Sequence, residues 1–276
     1  MVMDFATAPR TESPRTAANR VLGVLGAFSH GRGALTLTEI ARYADLPLTT
    51  AHRLAREVVA WGGLELDETG KYRLSRKILD LASSSTYAMR LRESALPHLS
   101  ELHRTTCLTV HLAVRDGDEV LYLEALRSHT NYSGENRMGG RMPLHATATG
   151  LVLLAYAQEC DIEDYLRRPL QRYTPKTVTD PDELRATLTG IRASGHARLN
   201  GTISPRAGSL AAPVFGDDGT VETAVGSVFI LERDDPARLI DAVRITATRI
   251  ARSLACRNDP PHPATVAFNR RKAGLA

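Results

Sequence analysis

Apolar residues in the first quarter of the chain recur at helical spacing, and the spacing then changes to strict alternation. Over residues 15–29, Ala18, Val21, Leu22, Leu25 and Phe28 form one stripe, which predicts a helix that Gly31 and Gly33 end. A second helix opens at Thr36, where Glu39 stands three residues on in a capping-box pattern and Leu37, Ile40 and Ala41 face inward. Asp45-Leu46-Pro47 predicts a tight turn, with the proline at the mouth of a third helix over residues 47–61. That helix turns Ala51, Leu54, Ala55 and Val58 inward and ends at Gly62-Gly63. Residues 64–67 and 71–74 alternate apolar and polar around the turn 67–70, which predicts a two-stranded hairpin.

The rest of the chain mixes periods. Residues 75–92 suit a linker helix, and a second helix from Ser94 aligns Leu96, Leu99 and Leu102. Strands are expected over 107–114 and 119–126, joined by a turn at 115–118. A Gly-rich polar loop follows over 127–142, and then an apolar helix over 145–156. Asp180-Pro181-Asp182-Glu183 opens a helix that Gly195 ends. Strands over 209–215 and 221–231 flank a Gly/Asp turn, and a helix over 236–255 closes the fold. Hairpins and helices in this order predict an α+β sheet domain. The expected divisions are a disordered segment 1–14, a head over 15–75, a linker over 76–93, a body over 94–256 and a disordered basic tail over 257–276.

Composition narrows the class. A chain of 276 residues, 43% hydrophobic and 24% charged, has room for two cores. No apolar run is long enough to span a bilayer and no secretory leader is evident. Cys107, Cys160 and Cys256 are far apart and form no Cys-x-x-Cys pair, so a reducing, cytoplasmic setting is expected. Charge is unevenly distributed. Residues 1–92 hold 13 basic against 9 acidic side chains, residues 93–256 hold 18 against 21, and residues 257–276 hold 4 against 1. A basic head on an acidic body suits a protein that presents one end to a polyanion.

The third helix leaves Thr49, Thr50, His52, Arg53 and Arg56 off its apolar face, and the hairpin places Lys71 and Arg73 on one side. Short hydroxyls and guanidinium groups at the start of a helix suit base edges and phosphates in a major groove. The arrangement predicts a winged helix-turn-helix that binds double-stranded DNA.

Residues 45–54 (DLPLTTAHRL) and 70–74 (GKYRL) are similar to the IclR family of bacterial transcription regulators. The likeness continues through RMPLHATATG at 141–150 and LAAPVF at 210–215, so it covers roughly residues 15–255. It implies a GAF-like effector-binding body and a transcription regulator, working as a homodimer or dimer of dimers on a near-palindromic operator. It places Met142, Leu144, His145, Ala146, Thr147, Ser209, Gly226 and Ser227 around a small-molecule effector, expected to be a small organic or aromatic acid, with no cofactor and no metal. The chain departs from the family pattern at Leu48, where a polar residue is common, at 199–201, where an acidic pair is common, and at 226–228, where two serines are common.

Two other functions fit the sequence less well. An enzyme is disfavoured: no Gly-x-Ser-x-Gly elbow, dinucleotide fingerprint or phosphate loop is present. His98, His103, His111 and His145 with Asp116 and Glu119 have no metal-site spacing, and surface or core histidines are the simpler account. An architectural DNA-binding protein without a ligand fits poorly with so large a body.

Overall fold

The structure, a computed structural model, describes residues 16–30, 33–83, 86–128, 137–234 and 236–256. The segments expected to be disordered, 1–14 and 257–276, lie outside these residues. By backbone contacts the chain divides into two compact units, Met1–Thr86 and Tyr87–Ala276.

The first unit holds α1 (Ala17–Gly26), a short 3-10 turn, β1 (Ala34–Leu35), α2 (Leu37–Ala44), α3 (Leu48–Trp61), β2 (Leu64–Leu66), β3 (Tyr72–Leu74) and α4 (Arg76–Ser83). Val24, Phe28, Ile40, Leu54, Val58 and Tyr72 meet in its core. The stripe expected on α1 holds at Val21, Leu25 and Phe28, which pack in the core, whereas Leu22 is 63% exposed and Val24 is fully buried in its stead. Turn chemistry behaves as expected. Asp45 takes a left-handed conformation (φ 52°) beyond α2, Pro47 precedes α3, and Gly62 (φ 85°) ends α3. Asp67 Oδ1 accepts from the backbone N–H groups of Thr69 and Lys71 and closes the hairpin turn. The wing has a third strand, because β1 pairs antiparallel with β3 in the order β1-β3-β2.

Thr36 caps α2 reciprocally: Glu39 N–H donates to its hydroxyl, and the Glu39 carboxylate accepts from Thr36 N–H at 2.8 Å and from its hydroxyl at 2.8 Å. Those Thr36 hydrogen bonds hold the Glu39 carboxyl below its ordinary 4.5. A depressed carboxyl stabilises the fold fully above its unfolded value, and the contribution is lost as pH falls through the folded value. Glu39→Gln keeps a hydrogen-bonding partner but removes the titration. Denaturant melts across a pH series should therefore show a flatter acid limb in the variant. An acid limb identical to wild type would refute this account.

In the second unit, α5 (Thr86–Thr106), β4 (Thr109–Asp116), β5 (Glu119–Leu126), β6 (Arg141–Pro143), α6 (Ala148–Ala155), α7 (Glu159–Leu166), α8 (Pro181–Ser194), β7 (Ala197–Asn200), β8 (Ala207–Phe215), β9 (Val221–Ile230) and α9 (Pro236–Cys256) follow. The helix boundaries differ from the expected 75–92 and Ser94 onward: one helix ends at Ser83 and the next runs unbroken from Thr86 to Thr106. The strands form one antiparallel sheet, β6-β5-β4-β9-β8-β7. Strand alternation sorts side chains to its two faces. Val110, Leu112, Val225 and Phe229 pack with α5 and α9, while Ala113, Tyr122, Ala211 and Ala224 pack with α6, α7 and α8. This mixed helix-and-sheet body, with a helix-turn-helix unit before it, agrees with the α+β expectation. Among the described residues no helix is long and apolar enough to cross a membrane.

Candidate functional site

Two places carry chemistry. The first is α3. Its buried face is Ala51, Leu54, Ala55 and Val58, and that spacing forces its other residues outward. Thr49, His52, Arg53 and Arg56 are exposed and Thr50 is half-buried. Arg53 Nη1 lies 2.7 Å from Glu57 one turn on, with both side chains more than half exposed. Arg56 has no ion pair among the described residues. In the wing, Lys71 and Arg73 are exposed on the face opposite buried Tyr72, and Arg73 Nε is 3.7 Å from Asp67. Leu48 is 52% exposed at the first position of α3, so the departure noted there places an apolar group on the outward surface.

The second is a cavity of about 490 Å³ in the body. Its floor is the sheet face formed by β4, β8 and β9, one wall is the start of α6, and a segment at 202–206 closes a side. Of the residues that the resemblance singled out, Met142, Ala146, Thr147, Ser209, Gly226 and Ser227 line it, and Leu144 and His145 do not. Leu144 is fully buried in the core. His145 is held elsewhere: Nδ1 is 2.9 Å from the Tyr165 hydroxyl and Nε2 is 2.9 Å from the Gln171 carbonyl. Burial lowers its proton affinity, with the Gln171 hydrogen bond opposing.

The polar lining residues are not equivalent. Thr147 donates to the Pro143 carbonyl and accepts from Gly150 N–H, so its hydroxyl is committed to capping α6. The Ser227 hydroxyl donates to the Thr109 carbonyl, and its side chain follows Val225 and Phe229 toward the far face of the sheet. Ser209 keeps its hydroxyl uncommitted among the described residues. Gly226 is glycine for a packing reason: a Cβ there would stand 2.5 Å from the Thr149 methyl and 3.2 Å from the Leu210 carbonyl oxygen.

Sequence reasoning missed His111, Tyr122, Thr149 and Arg206, which also line the cavity. His111 and Tyr122 stack, with centroids 4.2 Å apart and planes 14° from parallel. Burial drives the His111 imidazole down to about 3, so it is neutral, and pushes the Tyr122 phenol up to about 12. Arg206 is the one charged side chain on the described lining, and no carboxylate faces it there. His98, His103 and His145 are each bonded to unrelated groups, and no cluster of three metal-ligating side chains exists among the described residues.

A winged helix-turn-helix unit followed by a sheet body with an internal cavity is the architecture of a ligand-responsive, DNA-binding regulator. Residues 17–68 match the IclR helix-turn-helix domain and residues 84–252 match the family described as bacterial transcriptional regulator IclR C-terminal, so the chain belongs to the IclR family. It is 33% identical over 248 residues to the HTH-type transcriptional regulator BhcR of Paracoccus denitrificans, covering 88% of each chain. It is 30% identical to the p-hydroxybenzoate hydroxylase transcriptional activator of Acinetobacter baylyi, covering 85% of this chain and 88% of that one. The crystal structure of an IclR homologue from Microbacterium hydrocarbonoxydans, complexed with 4-hydroxybenzoate, superposes with a TM-score of 0.81 at 36% identity, covering 87% of this chain and 100% of that chain. The protein is a DNA-binding transcription regulator with a ligand-binding domain.

Proposed function

We propose that the body cavity binds a small organic acid and that its occupancy sets the affinity of the head for an operator. The observation that carries this reading is the electrostatic character of the cavity. Its only charged described lining group is Arg206, it has no facing carboxylate, and the N-terminal residues of α6 form part of its wall. Backbone N–H groups and the helix dipole at that end favour an anion. Met142, Val228 and Ile230 supply apolar surface for the remainder of the ligand. A cavity of about 490 Å³ falls within the usual range for small-molecule sites. The liganded Microbacterium homologue supports an aromatic acid as effector class.

On the DNA side, Thr49, Thr50, His52, Arg53 and Arg56 meet bases and phosphates from α3, and Lys71 and Arg73 meet phosphate from the wing. Residues 15–75 form the reading head, 76–93 the linker and 94–256 the effector domain. The protein acts as a homodimer, or a dimer of dimers, on a near-palindromic operator in the cytoplasm, and it has no catalytic role. The required coupling between effector and operator is modest, typically ~1–3 kcal/mol.

Thermal-shift titration with aromatic and aliphatic carboxylates, paired with gel shifts on DNA flanking the gene, tests the proposal. A true effector raises stability as RT ln(1 + [L]/Kd), about 2.7 kcal/mol at one hundred times Kd, and changes operator affinity. Arg206→Gln should weaken carboxylate binding by about tenfold or more, the scale of one charged hydrogen bond. A panel in which no acid shifts the melt, or in which Arg206→Gln binds as well as wild type, rejects the reading.

A further inference from the structure

Two buried side-chain polar atoms lack a hydrogen-bond partner among the described residues, and one of them, His111 Nε2, belongs to the cavity lining. His111 is only 1% exposed, so bulk water does not satisfy it. Buried polar atoms are almost always paired, and an exception inside a ligand cavity marks a position where a bound molecule completes the bonding. The sheet holds the ring at the cavity wall. Register pairs His111 with Gly226 on β9, which adds no side chain above the imidazole, and Gly226 cannot grow one because α6 approaches too closely. The flat stack on Tyr122 fixes the ring plane. The imidazole is neutral, so it presents one N–H and one lone pair rather than a second positive charge.

We propose that His111 Nε2 selects the effector by pairing with a hydroxyl that the acid carries away from its carboxylate, so that the site prefers hydroxylated aromatic acids to unsubstituted ones. The inference rests on the reading of the cavity as an acid site. A hydroxyl is the complementary group because it both donates and accepts, and so meets either imidazole tautomer. An aromatic frame fits because Met142, Ile203, Val228 and Ile230 give the cavity apolar walls for the remainder of the ligand. Discrimination arises because an acid without the hydroxyl seals the imidazole away while leaving it unpaired.

The test is calorimetric titration of the full-length protein with benzoate, 3-hydroxybenzoate and 4-hydroxybenzoate, using wild type and His111→Phe. Phenylalanine keeps a flat ring against Tyr122 and removes the nitrogen. Wild type should prefer the better hydroxybenzoate over benzoate by about tenfold or more, and His111→Phe should bring that ratio close to one. A nitrogen NMR measurement on wild type labelled at histidine needs no variant: the Nε2 resonance of His111 should move with the hydroxybenzoate and stay in place with benzoate. The inference is overturned if the preference survives His111→Phe or if the resonance responds equally to both acids. Benzoate binding with no preference for the hydroxyl sinks this inference alone. Failure of all three acids to bind wild type removes the acid-site reading with it.

Discussion

Gly150→Ala should lower the melting temperature by several degrees, whereas Gly190→Ala should raise it slightly. Both glycines are helical, so a propensity scale alone predicts a gain of up to about 1 kcal/mol for each. Their surroundings separate them. A Cβ on Gly150 would lie 2.3 Å from the Leu144 carbonyl oxygen, 2.5 Å from Leu144 Cα and 2.6 Å from Thr147 Oγ1. Two of those neighbours are main-chain atoms of a buried segment, and every residue of α6 is itself buried. The helix must lift or the 144–147 segment must yield, and overpacking of this kind costs ~1–3 kcal/mol, occasionally more. In a domain of this size each kilocalorie is worth roughly 2–4 °C. At Gly190, on α8, nothing stands within 4 Å of the added carbon, so the helical gain and the reduced freedom of the unfolded chain both stabilise. Calorimetric melts of the two variants decide the matter, and shifts of the same sign would refute a steric role for the close approach of α6 to residue 144. Because α6 walls the cavity, Gly150→Ala should also weaken effector binding, an effect that Gly190→Ala should not share.

The double variant Arg53→Ala/Arg56→Ala should lose specific operator binding by at least about thirtyfold, since each good base contact is worth ~1–3 kcal/mol. In the free protein Arg53 is paired with Glu57 at 2.7 Å, but exposed pairs one helical turn apart are worth only ~0.3–0.5 kcal/mol. A base edge or phosphate therefore displaces Glu57 with little opposition. Gel shifts across a salt series distinguish the two kinds of contact. A lost phosphate contact lowers the salt slope by about one per arginine and weakens all sequences alike. A lost base contact mainly narrows the gap between operator and unrelated DNA. Arg53→Ala should weaken specific binding more than non-specific binding; equal losses would assign it to phosphate alone, and unchanged operator affinity in the double variant would remove α3 as the reading element.

The head was the more legible half of the sequence because its signals are local. The Thr36–Glu39 box, the Pro47 entry and the Gly62 exit each act within a few residues, and each matches a helix end. Strand β1 went unseen because two residues carry no period; only its pairing with β3 defines it. Helix α7 was missed for a related reason: it is eight residues long and Gln158 before it makes no side-chain capping bond. The bounds of α4 and α5 differ from the expected ones because the apolar spacing carries no obvious stop signal ahead of Ser94. In the cavity, the family likeness led to Met142, Ala146, Thr147, Ser209, Gly226 and Ser227, all at the wall. It also led to His145, whose hydrogen bonds to Tyr165 and Gln171 depend on partners 20 and 26 residues away that no local pattern reveals. In the sequence His111 is only one of four histidines considered as metal ligands, and nothing local marks it as part of a cavity. Its importance comes from the register with Gly226 and the stack on Tyr122, both consequences of long-range pairing.

The two outermost strands of the body sheet are its shortest, three residues in β6 and four in β7, beside neighbours of eight and nine. Every sheet that is not closed leaves a row of unpaired main-chain groups at its rim, open to capture by a stranger's strand. Here one rim ends in Pro143, which has no N–H to offer, and carries Arg141 with its guanidinium held by Asp116 and Glu119; the other carries exposed Arg198. Charge, proline and brevity together deny a template to intermolecular ribbon growth. The chain should therefore stay monodisperse at concentrations where a variant with a long, uncharged border would form fibres.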